Sequence, residues 1–315
     1  MDNLTHSLVG ALLGQAGLKR KTGLAMPALI IGANLPDVDA ACFLWLDGVE
    51  HLAFRRGITH GPIAWLLLPL LLAAALWALD RWQARRGRRP AERLPVRFGW
   101  LFALAFIACL THPALDWLNV YGIRLLEPFS NQWFYGDVLF IIDVWLWAIL
   151  GIGTWLSLRR EKRGGDWRRP ARVAVAGALA YIGINAGVTL GAERMTAVDA
   201  EGATIAAPVP FAFWARDIII PLHLRRYRVI EGFTGNHDST VWSVDFGHPA
   251  MSYFCDSKTL AVANRQARAF LFWSRTPVFD RAPDGSVILR DARYYSPLAR
   301  DRFSVALPGV RCEPL

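Results

Sequence analysis

His112 and Asp116 stand four residues apart where the uncharged run Phe98 to Thr111 continues into His112-Pro113-Ala114-Leu115-Asp116-Trp117. Helical spacing stacks such a pair on one face, where an imidazole nitrogen and a carboxylate oxygen can reach one cation. Asp37 and Asp39 follow Pro36 in Asn34-Leu35-Pro36-Asp37-Val38-Asp39. Pro36 has no N–H and disfavours a helical Leu35, so the segment is predicted to break there. Both carboxylates can then point the same way, as i,i+2 positions on an intact helix do not. His60 comes just before Pro62, a favoured first helical residue, and His6 lies in the short apolar segment Leu4 to Leu18. These six donors are nitrogen and oxygen without thiolate, a set suited to a divalent metal: Zn first, with Mn and Mg as alternatives. A catalytic ion keeps one position open for a water whose pKa it lowers. Asp143 could serve as general base or as a partner that orients a histidine, and Arg56 could hold a phosphate by bidentate hydrogen bonds.

Each residue also has a structural reading. His6 could be a packing residue, Asp37 and Asp39 helix caps, and His112–Asp116 a hydrogen-bonded pair. Asp137 reads as a helix cap, and Arg55 and Arg56 as interfacial anchors. His51, His223, His237 and His248 read as surface residues.

The elements that must position these groups are membrane helices. Of 315 residues 54% are hydrophobic and 19% charged, with mean hydropathy +0.26; soluble chains have about 25% charged residues. The composition excludes a disordered chain and a disulfide scaffold. A span needs about 20 apolar residues. Ile63–Leu79 and Val173–Ala192 are uncharged, Phe98 runs uncharged to Thr111, Val138–Leu158 is interrupted by Asp143, and Leu24–Leu46 is broken at Pro36. With Leu4–Leu18 as a partial helix, these give a polytopic helical bundle of about five to six membrane segments.

The net charge of +9 reflects topology rather than nucleic-acid binding. Arg81–Arg97 and Arg159–Arg172 each carry seven Lys/Arg, and Lys19-Arg20-Lys21 adds a third basic cluster. The positive-inside rule puts all three in the cytoplasm, and the segment after Ala192 outside. This orientation brings His6, Asp37, Asp39, His60, His112, Asp116, Asp137 and Asp143 to the outer leaflet, although none of them was used to derive it. Ionisable groups at membrane depth are costly and point to function.

Residues 1–192 therefore read as the membrane domain and residues 193–315 as a β-rich extracytoplasmic domain. Val241–Phe246 alternates as a half-buried strand does, Thr276–Asp280 and Ser286–Arg290 flank a turn, and Phe303–Leu307 is a further strand candidate. Cys255 and Cys312 read either as a disulfide or as two free thiols, and Cys42 and Cys109 as packing residues.

The stretches Met1-Asp2-Asn3-Leu4-Thr5-His6-Ser7, Leu35-Pro36-Asp37-Val38-Asp39, Arg56-Gly57-Ile58-Thr59-His60 and Thr111-His112-Pro113-Ala114-Leu115-Asp116 resemble those of bacterial inner-membrane proteins described as membrane-bound metal-dependent hydrolases of the YdjM type. The order HxxxG, PDxD, RGxTH, HPxxD matches over about residues 1–160. The resemblance implies a bacterial inner-membrane enzyme with metal held by His6, Asp37, Asp39, His60, His112 and Asp116. It also implies a ligand pattern similar to that of zinc-dependent phospholipase C-like enzymes.

The expected function is a membrane-bound metal-dependent hydrolase, with metal-activated water attacking an ester or phosphoester at the outer leaflet. The expected partners are the lipid bilayer and a small-molecule or lipid substrate, with no nucleic acid. Two alternatives are a proton- or ion-coupled transporter, and a non-enzymatic scaffold with a structural polar cluster.

Overall fold

The structure is a computed structural model describing residues 1–197, 202–222, 226–235, 243–245, 253–254, 264–295, 299, 301–308, 310 and 313–314. The chain forms two compact units, one of residues 1–39 with 56–185 and the other of residues 40–55 with 186–315.

The first unit is helical. Helix α1 (Asn3–Gln15) starts at Asp2, whose carboxylate accepts from the N–H groups of Leu4 and Thr5. Helix α2 (Ala25–Asn34) gives way at Leu35 to a 3₁₀ segment, Leu35–Leu44, so the expected break at Pro36 is a change of hydrogen-bonding pattern. Helices α4 (Pro62–Arg85), α5 (Phe98–Trp117), α6 (Val144–Lys162) and α7 (Arg168–Thr196) follow, while the one-turn α3 (His51–Phe54) and the last residues of α7 belong to the second unit. The core joins Ala28, Leu29 and Ala33 of α2 to Ala73 of α4 and Leu101, Leu104, Ala105 and Ala108 of α5. Small residues let these backbones approach closely: a Cβ on Gly10 would stand 2.5 Å from the Leu29 carbonyl oxygen.

Outside this core the helices expose carbon, such as Leu66 and Leu71 of α4 and Leu179 and Ile184 of α7. Among the described residues, four segments are long and apolar enough to cross a membrane: Ala25–Leu44, Pro62–Arg85, Phe98–Trp117 and Arg168–Thr196. The expectation that Asp143 interrupts the Val138–Leu158 segment is corrected: Asp143 begins the helix there, accepting from the Leu146 N–H as N-cap of α6. Asp137 is not a cap; it is a buried loop residue with φ of 54°.

The second unit carries the β structure. Antiparallel strands β1 (Ile205–Val209), β2 (Ala212–Leu222), β3 (Arg226–Phe233) and β4 (Ser243–Asp245) form one sheet in that order. Strand β5 (Tyr253–Phe254) pairs with β9 (Glu313–Pro314). Strands β6 (Pro277–Arg281), β7 (Val287–Asp291) and β8 (Ser304–Leu307) form a third sheet, with β6 and β7 paired as the expected hairpin. Helix α8 (Arg265–Trp273) is capped by Asn264 and buries Phe270 and Trp273. The fully buried Asp291 accepts from Ser274, Thr276 and Arg293. Cys42 and Cys109 are free and buried. Cys255, Cys312, His223, His237, His248 and the flanks of β4 lie outside the described residues.

Candidate metal centre

Asp37, His60, His112 and Asp116 each offer one ligand atom, and these four atoms lie within 4.8 Å of one another. They come from three elements. Asp37 is on the 3₁₀ segment that Pro36 opens, and His60 ends a short 3₁₀ turn, Ile58–His60, just before α4. His112 and Asp116 share one face of α5, with His112 Nε2 3.5 Å from Asp116 Oδ2 and 3.7 Å from Asp37 Oδ1. His60 Nε2 is also 3.5 Å from Asp116 Oδ2. The side chains of His60, His112 and Asp116 are at most 1% exposed, while that of Asp37 reaches 9%. The cluster is thus closed on the α5 side and most open at Asp37.

Hydrogen bonds fix which imidazole nitrogen faces inward. His112 Nδ1 lies 2.7 Å from the Ala33 carbonyl oxygen, which can only accept, so Nδ1 carries the proton. Thr59 Oγ1 donates to Asp39 Oδ2 at 3.2 Å and lies 2.9 Å from His60 Nδ1, so it accepts the His60 Nδ1 proton. In the neutral imidazoles both Nε2 atoms then present lone pairs, and both are buried without a hydrogen-bond partner. Two such atoms beside a carboxylate form an arrangement that a divalent cation satisfies. Donors bound tetrahedrally at about 2.0–2.1 Å lie roughly 3.4 Å apart, close to the 3.5 Å separations here.

Asp39 is adjacent rather than within the four. Its Oδ2 accepts the Arg56 N–H at 2.8 Å and the Thr59 hydroxyl, and so fixes the RGxTH turn. His6 stacks on His112 with ring centroids 3.7 Å apart. Its Nε2 is 3.5 Å from Asp116 Oδ1, and neither of its ring nitrogens has a hydrogen-bond partner. The Met1 amino group also contacts Asp116 Oδ1.

Arg56 has a left-handed backbone with φ of 56°. Its guanidinium pairs with Asp116 Oδ2 at 3.0 Å, donates to Asn119 Oδ1 at 3.0 Å and lies over the Tyr121 ring. Arg56 is thus engaged with the protein rather than extended toward an anion. Asp143 takes the Leu146 N–H and the Tyr181 hydroxyl and joins the cluster through no hydrogen bond. Sequence reasoning missed the Ala33 carbonyl, Thr59, Asn119 and Tyr121. Thr59 was visible inside Arg56-Gly57-Ile58-Thr59-His60, as a hydroxyl next to a candidate ligand.

Comparison with known proteins gives this arrangement a context. The family model described as YdjM inner membrane protein matches residues 1–190, which include every residue of the cluster. The chain is also similar to the Bacillus subtilis (strain 168) protein described as uncharacterized protein YfhP, at 30% identity over 141 residues. That match covers 42% of this chain and 39% of YfhP, so the chain spans about two fifths of the length of that relative. No solved structure matches. The chain belongs to the YdjM inner membrane protein family.

Proposed function

We propose that this member of the YdjM family is a multi-pass membrane hydrolase dependent on a divalent metal, Zn foremost, and that it cleaves an ester or phosphoester at the outer leaflet. Residues 1–192 form its membrane domain, with α1 and α6 completing five to six membrane segments, and residues 193–315 its extracytoplasmic domain. The observation that carries this reading is the convergence of two buried, unpartnered Nε2 atoms, from His60 and His112, on Asp116 Oδ2 and Asp37.

Asp37, His60, His112 and Asp116 hold the ion in this reading. When bound, the ion lowers the pKa of water and polarises the scissile group. The Asp39–Thr59–His60 chain keeps the His60 Nε2 lone pair directed inward, and the Ala33 carbonyl does so for His112. Arg56 balances the Asp116 charge and fixes its rotamer. His6 exchanges the reaction proton at Nε2, the unpartnered titratable atom nearest Asp116 Oδ1.

Metal analysis of detergent-purified protein tests the reading, with a His60→Ala, His112→Ala double variant alongside. The wild type should carry stoichiometric metal and the variant almost none, and phospholipid hydrolysis should follow the metal. Equal and negligible metal in both proteins rejects the metal site. Metal without hydrolysis rejects the activity.

A further inference from the structure

A groove of about 320 Å³ runs between α1, α5, α6 and α7. Leu118, Leu146 and Ile182 line one end, and Leu12, Thr111 and Val175 line the other. Its walls are almost entirely carbon, and the wall residues Leu12, Leu146 and Leu150 are themselves buried. Two of its four helices, α5 and α7, are among the segments able to span a bilayer. In hydrocarbon an apolar concavity of this kind has one abundant occupant, the lipid tail.

The groove starts beside the metal cluster. Val9, which lines it, is one turn from His6 on α1, and Leu115 is one turn from His112 on α5. Residues at i,i+3 are neighbours, with Cβ atoms about 5–6 Å apart. From Leu118 to Thr111 the groove follows α5 for about 10 Å, two thirds of the roughly 15 Å half-thickness of a hydrocarbon core. A chain lying in it has one end beside His6 and Asp116 and the other directed toward the bilayer midplane.

We propose that this groove binds one acyl chain of a membrane lipid and presents the polar end of that lipid to the cluster, which makes an acyl lipid the substrate class. The substrate assignment rests on the hydrolase reading; the binding of the chain does not.

The test uses full-length protein reconstituted in vesicles of phosphatidylethanolamine and phosphatidylglycerol. A phosphatidylethanolamine with a diazirine on one acyl chain serves as the probe, and labelled residues are mapped by mass spectrometry. Labelling at Leu115 and Leu146 should exceed that at Leu66 and Leu71, which sample bulk lipid from α4. Ala114→Phe, at an exposed groove residue, should lower groove labelling about tenfold, equivalent to about 1.4 kcal/mol, with Ala114→Leu intermediate and α4 labelling unchanged in both. Groove labelling no stronger than α4 labelling, or indifferent to Ala114→Phe, overturns the proposal. Protein-to-protein crosslinks through the groove overturn it in favour of a second copy. The His60→Ala, His112→Ala variant should lose metal and keep groove labelling. If wild-type protein with bound metal labels in the groove but cleaves no acyl lipid, the hydrolase reading fails and the binding site stands.

Discussion

His112 Nδ1 lies 2.7 Å from the carbonyl oxygen of Ala33, joining α5 to the end of α2 just before the backbone changes its hydrogen bonding. In a 3₁₀ turn that carbonyl would accept from residue 36, but Pro36 has no N–H to give. The proline that breaks the helix thus also leaves an acceptor for the histidine. Pro36→Ala supplies a competing donor and should weaken metal binding by about tenfold, the lower bound for partners that orient a ligand. Competition with a chromophoric chelator measures this, and an unchanged affinity would remove the proline from the account.

Thr59 is both donor to Asp39 and acceptor for His60 Nδ1. Thr59→Val preserves shape and removes both bonds. Metal affinity should fall about 10–100-fold, whereas Thr59→Ser should retain most of it. Full affinity in Thr59→Val would show that the hydroxyl plays no part in holding His60.

Gly10 lies one turn beyond His6 on the α1 face that meets α2. A Cβ there would stand 2.5 Å from a backbone oxygen, which cannot swing aside as a side chain can. Gly10→Ala should cost about 1–3 kcal/mol and shift His6 away from Asp116. Thermal unfolding in detergent gives the first quantity, and His6 imidazole chemical shifts report the second.

In the β6–β8 sheet, burial alone pushes the Asp291 carboxyl up, but Arg293 and the Ser274 hydroxyl hold it below the usual carboxylate range. An acid depressed in this way contributes stability above its unfolded pKa of about 3.9, and that contribution is lost as pH falls through the lower folded value. Asp291→Asn leaves Arg293 buried without an anion and should destabilise the second unit by about 3–5 kcal/mol at neutral pH. It should also flatten the acid limb of stability. Amide hydrogen exchange across β6 and β7 measures both effects.

The candidate ligands were legible because an imidazole or carboxylate inside an apolar run has few inexpensive explanations. His112 and Asp116 needed only helical periodicity, and Asp37 only the proline before it. The tail hairpin was legible from Pro283-Asp284-Gly285 between two alternating runs. What escaped were contacts made by backbone and by small polar groups. The Ala33 oxygen has no identity in a sequence, and Thr59 acquires its role only when Asp39 folds beside it. The contacts of the Arg56 guanidinium with Asp116, Asn119 and Tyr121 escaped because they join long stretches of chain. Asp143 was misread as lying within a span because a capping carboxylate and a mid-helix carboxylate look alike until the helix start is known.

The four donors are widely spaced in order of synthesis: Asp37 and His60 leave the ribosome well before His112 and Asp116. The first two must wait in a half-built bundle until α5 inserts and docks. Under the metal reading, cation capture then cannot precede the arrival of α5, and cells starved of the ion should accumulate chains whose α2 and α5 are unlatched and open to membrane proteases.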